Sequence, residues 1–236
     1  MTTKASVGVY RIPEAARYLY VTSPTLDGFP RPMPRHLLFW MRQGITATHL
    51  TNVSGRHVLI DFQDLISMRV ISFLYGMGVS LGKIKRAKDY LETLTGHSHP
   101  FATETLWTET VDIFSEIGPL LITASKSGQL PFLDLVKRNL VNIHGMTFSQ
   151  GVADSWTPRP GILLKPNIEL GAPCIAKTGI PTHAVWRMFL GGDTVPFLAQ
   201  SYGIEQSRIQ QALEWENNLA EVTFTRRTQT STLPGG

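Results

Sequence analysis

One cysteine, Cys174, stands in 236 residues, which excludes an internal disulfide and the cysteine-rich zinc ligand sets and suits a reducing compartment. Long apolar runs are missing as well: no stretch approaches the ~20 apolar residues that a bilayer-spanning helix needs. No charged segment followed by an apolar one opens the chain, so a secretory leader is not expected and a cytoplasmic location is. Acidic residues are scarce in the first hundred positions, six against 12 Lys/Arg, whereas the remainder holds 12 against ten. The positive field therefore belongs to the first half and suits a polyanion such as double-stranded DNA, where phosphate contacts dominate affinity.

Sites for small cofactors are absent from the pattern too. Gly76-Met77-Gly78-Val79-Ser80-Leu81-Gly82 is one residue too long for a dinucleotide-binding loop and follows a helical pattern rather than a strand, so no cofactor is expected. His97 and His99 have no partner cysteines and no carboxylate at ligand spacing; they read as a solvated loop, with no metal. Asp61, Asp64, Asp112, Asp134 and Asp154 show no motif that would converge them on a cation. No catalytic residue is assigned, and the chain is not read as an enzyme.

What is present begins with Tyr10-Arg11-Ile12-Pro13-Glu14-Ala15-Ala16-Arg17-Tyr18-Leu19. It reads as the first helix of a helix-turn-helix: proline at the first helical position, Glu14 at the positive end of the dipole, and Ala15, Ala16 and Leu19 on one face. Residues 27–34, with three prolines and a glycine, interrupt any continuous helix. Arg35 to Gln43 resumes one, with Pro34 at its start and Gly44 after its end, and is the candidate recognition helix. The Gly44 to Ile60 segment suits a β-hairpin with a basic tip, a wing. Candidate DNA contacts are Arg31, Arg35, His36 and Arg42 around the helix, and Arg56 and His57 at the tip. An Asp61-capped apolar helix follows to Leu74, then a Ser80-capped helix from Leu81 to Leu94 with a basic band of Lys83, Lys85, Arg86 and Lys88.

Beyond a hinge at 95–100, a hairpin is expected over Phe101 to Ile122, a short helix over Leu130 to Leu140, and a strand over Val141 to Val152. Two strand-like pieces after Ile162 lead into helices from Pro181 to Leu190, from Val195 to Tyr202, and from Glu205 through Trp215 or Asn217. Cys174 reads as a small buried hydrophobe. The expected fold is mainly α with small β elements: a winged helix-turn-helix head over 1–95, an α+β connecting region over 96–160, a trihelical helix-turn-helix-like unit over 161–222 and a disordered tail over 223–236.

The helix-turn-helix, short wing, Phe62-x-x-Leu65 helix and Gly78-Val79-Ser80-Leu81 turn together resemble a MerR-type winged helix over residues 8–94. Asn167, Gly171-Ala172-Pro173, Ile180-Pro181-Thr182, the Gly191-Gly192 turn and Tyr202…Ile209…Ala212-Leu213 resemble the domain-of-unknown-function family 433, apart from Lys177-Thr178-Gly179, where that family usually places its glycine before the threonine. A head and tail of these two kinds resemble a VapB-type antitoxin. The resemblance implies a repressor that binds its own operator DNA as a homodimer and neutralises a PIN-like RNase toxin, with Arg226 and Arg227 in the tail as toxin contacts. The alternative is a stand-alone MerR-like transcription regulator whose second half senses a ligand or dimerises.

Overall fold

A computed structural model describes residues 8–23, 31–46, 58–108 and 145–224. The basic tip of the expected wing with Arg56 and His57, the helix over 130–140, and Arg226 and Arg227 lie outside those residues. Strand β1 (Val9–Arg11) pairs antiparallel with β2 (Leu59–Asp61), Tyr10 opposite Ile60. Each strand runs straight into a helix, β1 into α1 (Ile12–Thr22) and β2 into α3 (Phe62–Gly76). Pro13 occupies the second helical position rather than the first, where its missing N–H is still no loss. The Glu14 carboxylate accepts from the Arg11 N–H at 3.2 Å and from the Tyr18 hydroxyl at 2.7 Å, fixing the helix start. Ala15 and Ala16 are buried, which lets neighbouring helices approach closely.

Helix α3 is capped by Asp61, whose Oδ1 accepts from the Asp64 N–H at 2.7 Å. It is apolar around most of its circumference because it is covered on most sides, with α4 (Leu81–Thr95) packed beside it. Gly78 ends it: the Gly78 N–H donates to Tyr75 and the Val79 N–H to Leu74, a Schellman closure that requires the positive φ of 82° at Gly78.

The segment expected as a hairpin from Phe101 is helical where described, a 3-10 turn at Pro100–Ala102 followed by α5 (Glu104–Thr108). Pro100 presets the turn, the Thr103 hydroxyl donates to its carbonyl at 2.8 Å, and Trp107 Nε1 donates to Phe101 O at 3.0 Å. The single strand expected up to Val152 is instead the first corner of a four-stranded antiparallel meander: β3 (Met146–Ser149), β4 (Val152–Arg159), β5 (Ile162–Leu164) and β6 (Cys174–Ile175). Gln150 and Gly151 turn β3 into β4, and Pro160-Gly161 turns β4 into β5.

Three helices follow: α6 (Thr182–Leu190), α7 (Val195–Tyr202) and α8 (Gln206–Glu221), the last running beyond its expected end. Glycines 192 and 203, both with positive φ, close α6 and α7. The loop at Lys177-Thr178-Gly179 is a tight reversal, with the Thr178 hydroxyl donating to Ile175 O at 2.7 Å.

The described residues thus form a mixed α/β architecture with two antiparallel sheets. Its larger core runs from α1, α2 (Pro34–Arg42) and α3 through Trp156, Ile162 and Leu164 of the meander to Trp215 and Leu219 of α8. Divisions at residues 95 and 160 fall inside that core. A smaller core built on Val185, Leu198, Ile209 and Ala212 belongs to the trihelical unit alone. Among the described residues no helix is long and apolar enough to cross a membrane. Thr223 and Phe224, expected as the start of a disordered tail, are described. Val222 before them is buried and the Phe224 ring meets Tyr20 edge-on at 6.2 Å.

Candidate nucleic-acid interface

Helix α2 carries the candidate recognition residues. Pro34 starts it, and Gly44, with φ 66°, ends it through a second Schellman closure, the Gly44 N–H on Met41 O at 2.9 Å and the Ile45 N–H on Trp40 O at 3.1 Å. Leu37 and Trp40 point into the core, and the Trp40 ring meets Tyr75 of α3 at 5.8 Å. On the opposite face stand Arg35, Phe39 and Arg42, spaced i, i+4 and i+7 and all exposed; Phe39 is a large apolar ring left 50% exposed between two guanidinium groups.

The other candidates are placed differently. Arg31 lies with its guanidinium 4.7 Å from the centre of the Tyr20 ring, on the flank of α1. His36 is half-buried and serves the fold: its Nδ1 accepts from the Met33 N–H at 3.3 Å, and its ring lies 6.2 Å from Trp40 and 6.0 Å from Tyr75. Burial, with Arg35 beside it, holds its pKa below the usual histidine value, so it is a neutral helix-starting residue rather than a cation facing outward. The expected basic band of α4 is partly neutralised within the helix, since Lys85 pairs with Asp89 at 3.7 Å and Lys88, only 9% exposed, with Glu92 at 2.6 Å.

Two clusters escaped sequence reasoning. His99, expected in a solvated loop, is packed against the start of α3: its Nε2 stands 3.5 Å from Asp64 Oδ1 and 3.9 Å from Asp61 Oδ1. Burial raises the Asp64 pKa, against the opposing pull of His99. The carboxylates that seemed unconnected are brought together by the helix cap, which sets Asp61 and Asp64 on one turn; the histidine arrives from 35 residues further on.

The second is a cleft of ≈ 380 Å³ where α1 meets α6 and α8, lined by Glu14, Arg17, Tyr18, His183, Trp186 and Glu216 among others. The Glu216 carboxyl is pushed up by burial, partly offset by its hydrogen bond with the Thr182 hydroxyl. The Thr182 hydroxyl also reaches Pro173 O, so its one proton is shared between two acceptors. A carboxyl with a raised folded-state pKa binds its proton more tightly when folded, so stability falls as pH rises from the unfolded value through the folded one. Glu216→Gln is therefore expected to raise the thermal midpoint at pH 7 and to lose that advantage below about pH 4.3, where the unfolded glutamate is protonated too. Differential scanning fluorimetry across that range checks it; an equal or lower midpoint at pH 7 counts against a strained carboxylate here.

Cys174, expected as a buried hydrophobe, is buried, and burial pushes its thiol up to about 11, which keeps it a poor nucleophile.

Residues 162–215 match the family described as a protein of unknown function (DUF433). No curated protein matches the chain. Among solved structures, the chain is similar to the crystal structure of Rv2018 from Mycobacterium tuberculosis, with 20% identity and a TM-score of 0.65, over 86% of this chain and 96% of that one. At that identity the likeness is one of fold. The carboxy-terminal unit from β5 into α8 is therefore similar to DUF433, set in an architecture shared with Rv2018 along most of its length.

Proposed function

We propose that this chain is a DNA-binding antitoxin of a type II toxin–antitoxin module, an autorepressor that holds its operator with a MerR-like head and a PIN-like RNase toxin with its carboxy-terminal half. The observation that carries the reading is the outward face of α2, where Arg35, Phe39 and Arg42 project from a helix whose other face is locked onto α1 and α3. A rigid helix offering two guanidinium groups to solvent has the chemistry for phosphate and guanine contacts. The order of β1, α1, α2, β2, α3 and α4 agrees with the winged-helix resemblance, and the basic excess of the first hundred residues supplies the field. One short helix reads few base pairs, so the reading includes a homodimer on two half-sites. For the toxin, support comes from the acidic balance after residue 100 and from exposed Phe189, Leu190 and Phe197 at the α6–α7 corner.

The test uses Arg35→Glu and Arg42→Glu, both at exposed positions. Each is expected to weaken binding to a labelled duplex from the chain's own promoter about 5- to 100-fold, with a shallower salt dependence. Wild-type affinity in both variants by fluorescence anisotropy would remove the DNA-binding head. Co-expression with the product of the adjacent gene separates the remaining choices: an RNase that co-purifies supports the antitoxin, and none supports a stand-alone regulator. That second reading has its own observation, the ≈ 380 Å³ cleft between α1 of the head and the trihelical unit, placed where a small ligand would touch both.

A further inference from the structure

Asp61, Asp64 and His99 bring one ligand-type atom each to within 4.8 Å of one another. Asp64 is the informative member. Its side chain is 1% exposed, and among the described residues neither of its oxygens accepts a hydrogen bond of normal length. A carboxylate in that position needs either a proton or a cation, because burial without a donor is strongly unfavourable. Asp61 Oδ1 accepts the cap N–H of α3, which fixes its carboxylate in place and leaves that oxygen a second lone pair. The Ser98 hydroxyl lies 3.2 Å from His99 Nδ1, the arrangement in which a ring held from behind turns Nε2 toward a metal.

The separations of 3.5 and 3.9 Å from Nε2 to the two carboxylates exceed the ~2.9 Å of a direct N–H···O bond. They approach the ~3.4 Å between neighbouring ligands of a tetrahedral ion with bonds near 2.1 Å. The geometry points to a divalent transition-metal site, of zinc class, ligated by Asp61, Asp64 and His99 Nε2 with water in the fourth position. Two carboxylates and one imidazole offset the ion's charge, and binding displaces whatever proton the cluster holds.

Such an ion joins distant parts of the chain. Asp61 and Asp64 open α3, whereas His99 precedes the 3-10 turn whose Thr103 bridges to Val152; between the two carboxylates in the chain, Gln63 Nε2 donates to Ala153 O at 2.6 Å. The site therefore clamps the start of α3 to the connector that carries the meander, and it is independent of the DNA-binding reading.

The test is zinc binding by the full chain after chelator treatment. Wild-type protein is expected to retain one equivalent of zinc through desalting, measured by elemental analysis, and its thermal midpoint to rise by roughly 5–10 °C at saturating zinc. Asp64→Asn and His99→Gln are expected to lose both the retained zinc and the shift, and His97→Ala to keep them. Cobalt substitution in the wild type is expected to give visible bands of a tetrahedral site without thiolate charge transfer. No retained zinc and no shift in the wild type would overturn the site and leave a protonated His99 as the counter-charge. Equal retention in folded Asp64→Asn would overturn it too, by placing the zinc on the surface. Should either variant fail to fold, the wild-type stoichiometry and cobalt spectrum decide.

Discussion

Truncating Trp215 to Ala is expected to lower the unfolding free energy by about 3–5 kcal/mol, the range for removing a fully buried large aromatic side chain. Trp215 is 1% exposed, and its ring lies 6.0 Å from that of Tyr18 in α1. It belongs to α8 yet packs in the core of the head, so its loss opens a cavity shared by both ends of the chain. For a protein of this length that corresponds to a drop of roughly 6–20 °C in thermal midpoint. Urea unfolding followed by circular dichroism and by tryptophan fluorescence is expected to shift as one transition. Separate transitions for head and trihelical unit, or a midpoint lowered by less than about 2 °C, would show that the shared core does not couple them.

Gly171→Ala is the second large effect. Gly171 has φ 89°, and a Cβ there would lie 2.3 Å from the Tyr10 hydroxyl oxygen, 2.9 Å from Tyr10 Cζ and 3.2 Å from the backbone of Gly8. The same Tyr10 hydroxyl donates to Gly171 O at 3.0 Å, so the strand that starts the head is seated directly on the loop before β6. Backbone strain of about 1–3 kcal/mol at this φ adds to the collision, and a total loss of about 2–5 kcal/mol is expected. Gly192→Ala separates the two contributions, because Gly192 has φ 106° but nothing within 4 Å of an added Cβ. Chemical denaturation of both variants is expected to rank Gly171→Ala well below Gly192→Ala. Equal losses would mean that strain alone acts and that Tyr10 yields without resistance.

The helices were legible because their ends carry chemistry. Gly44, Gly78 and Gly192 sit at closures that need a positive φ, and Asp61 accepts the N–H three residues on, so the boundaries of α2, α3 and α6 follow from single residues. The meander was not legible. Its first corner is a two-residue loop, Gln150-Gly151, with Ser149 opposite Val152 and both loop residues at positive φ, 54° and 78°. Asparagine or aspartate ordinarily marks the first position of such a turn, and glutamine gives no such signal. The candidate face of α2 was legible only in part: Arg35 and Arg42 lie exposed on it, but the half-buried His36 could not be told from its neighbours without the rings of Trp40 and Tyr75 around it. Asp61, Asp64 and His99 were unreadable as a group because two come from one helical turn and the third from beyond α4.

Helix α8 contributes Ile209 and Ala212 to the smaller core and Trp215 and Leu219 to the larger one. A rigid rod anchored at both ends cannot shift at one without disturbing the other. Any molecule that binds the trihelical unit differently in two placements of α8 must therefore also bias the placement of α1, which Trp215 touches. Thermodynamic linkage makes that influence reciprocal: if a bound partner raises affinity for DNA by some factor, DNA raises affinity for the partner by the same factor. Under the proposed function, operator occupancy would then report how much partner is present, with one helix as the balance beam.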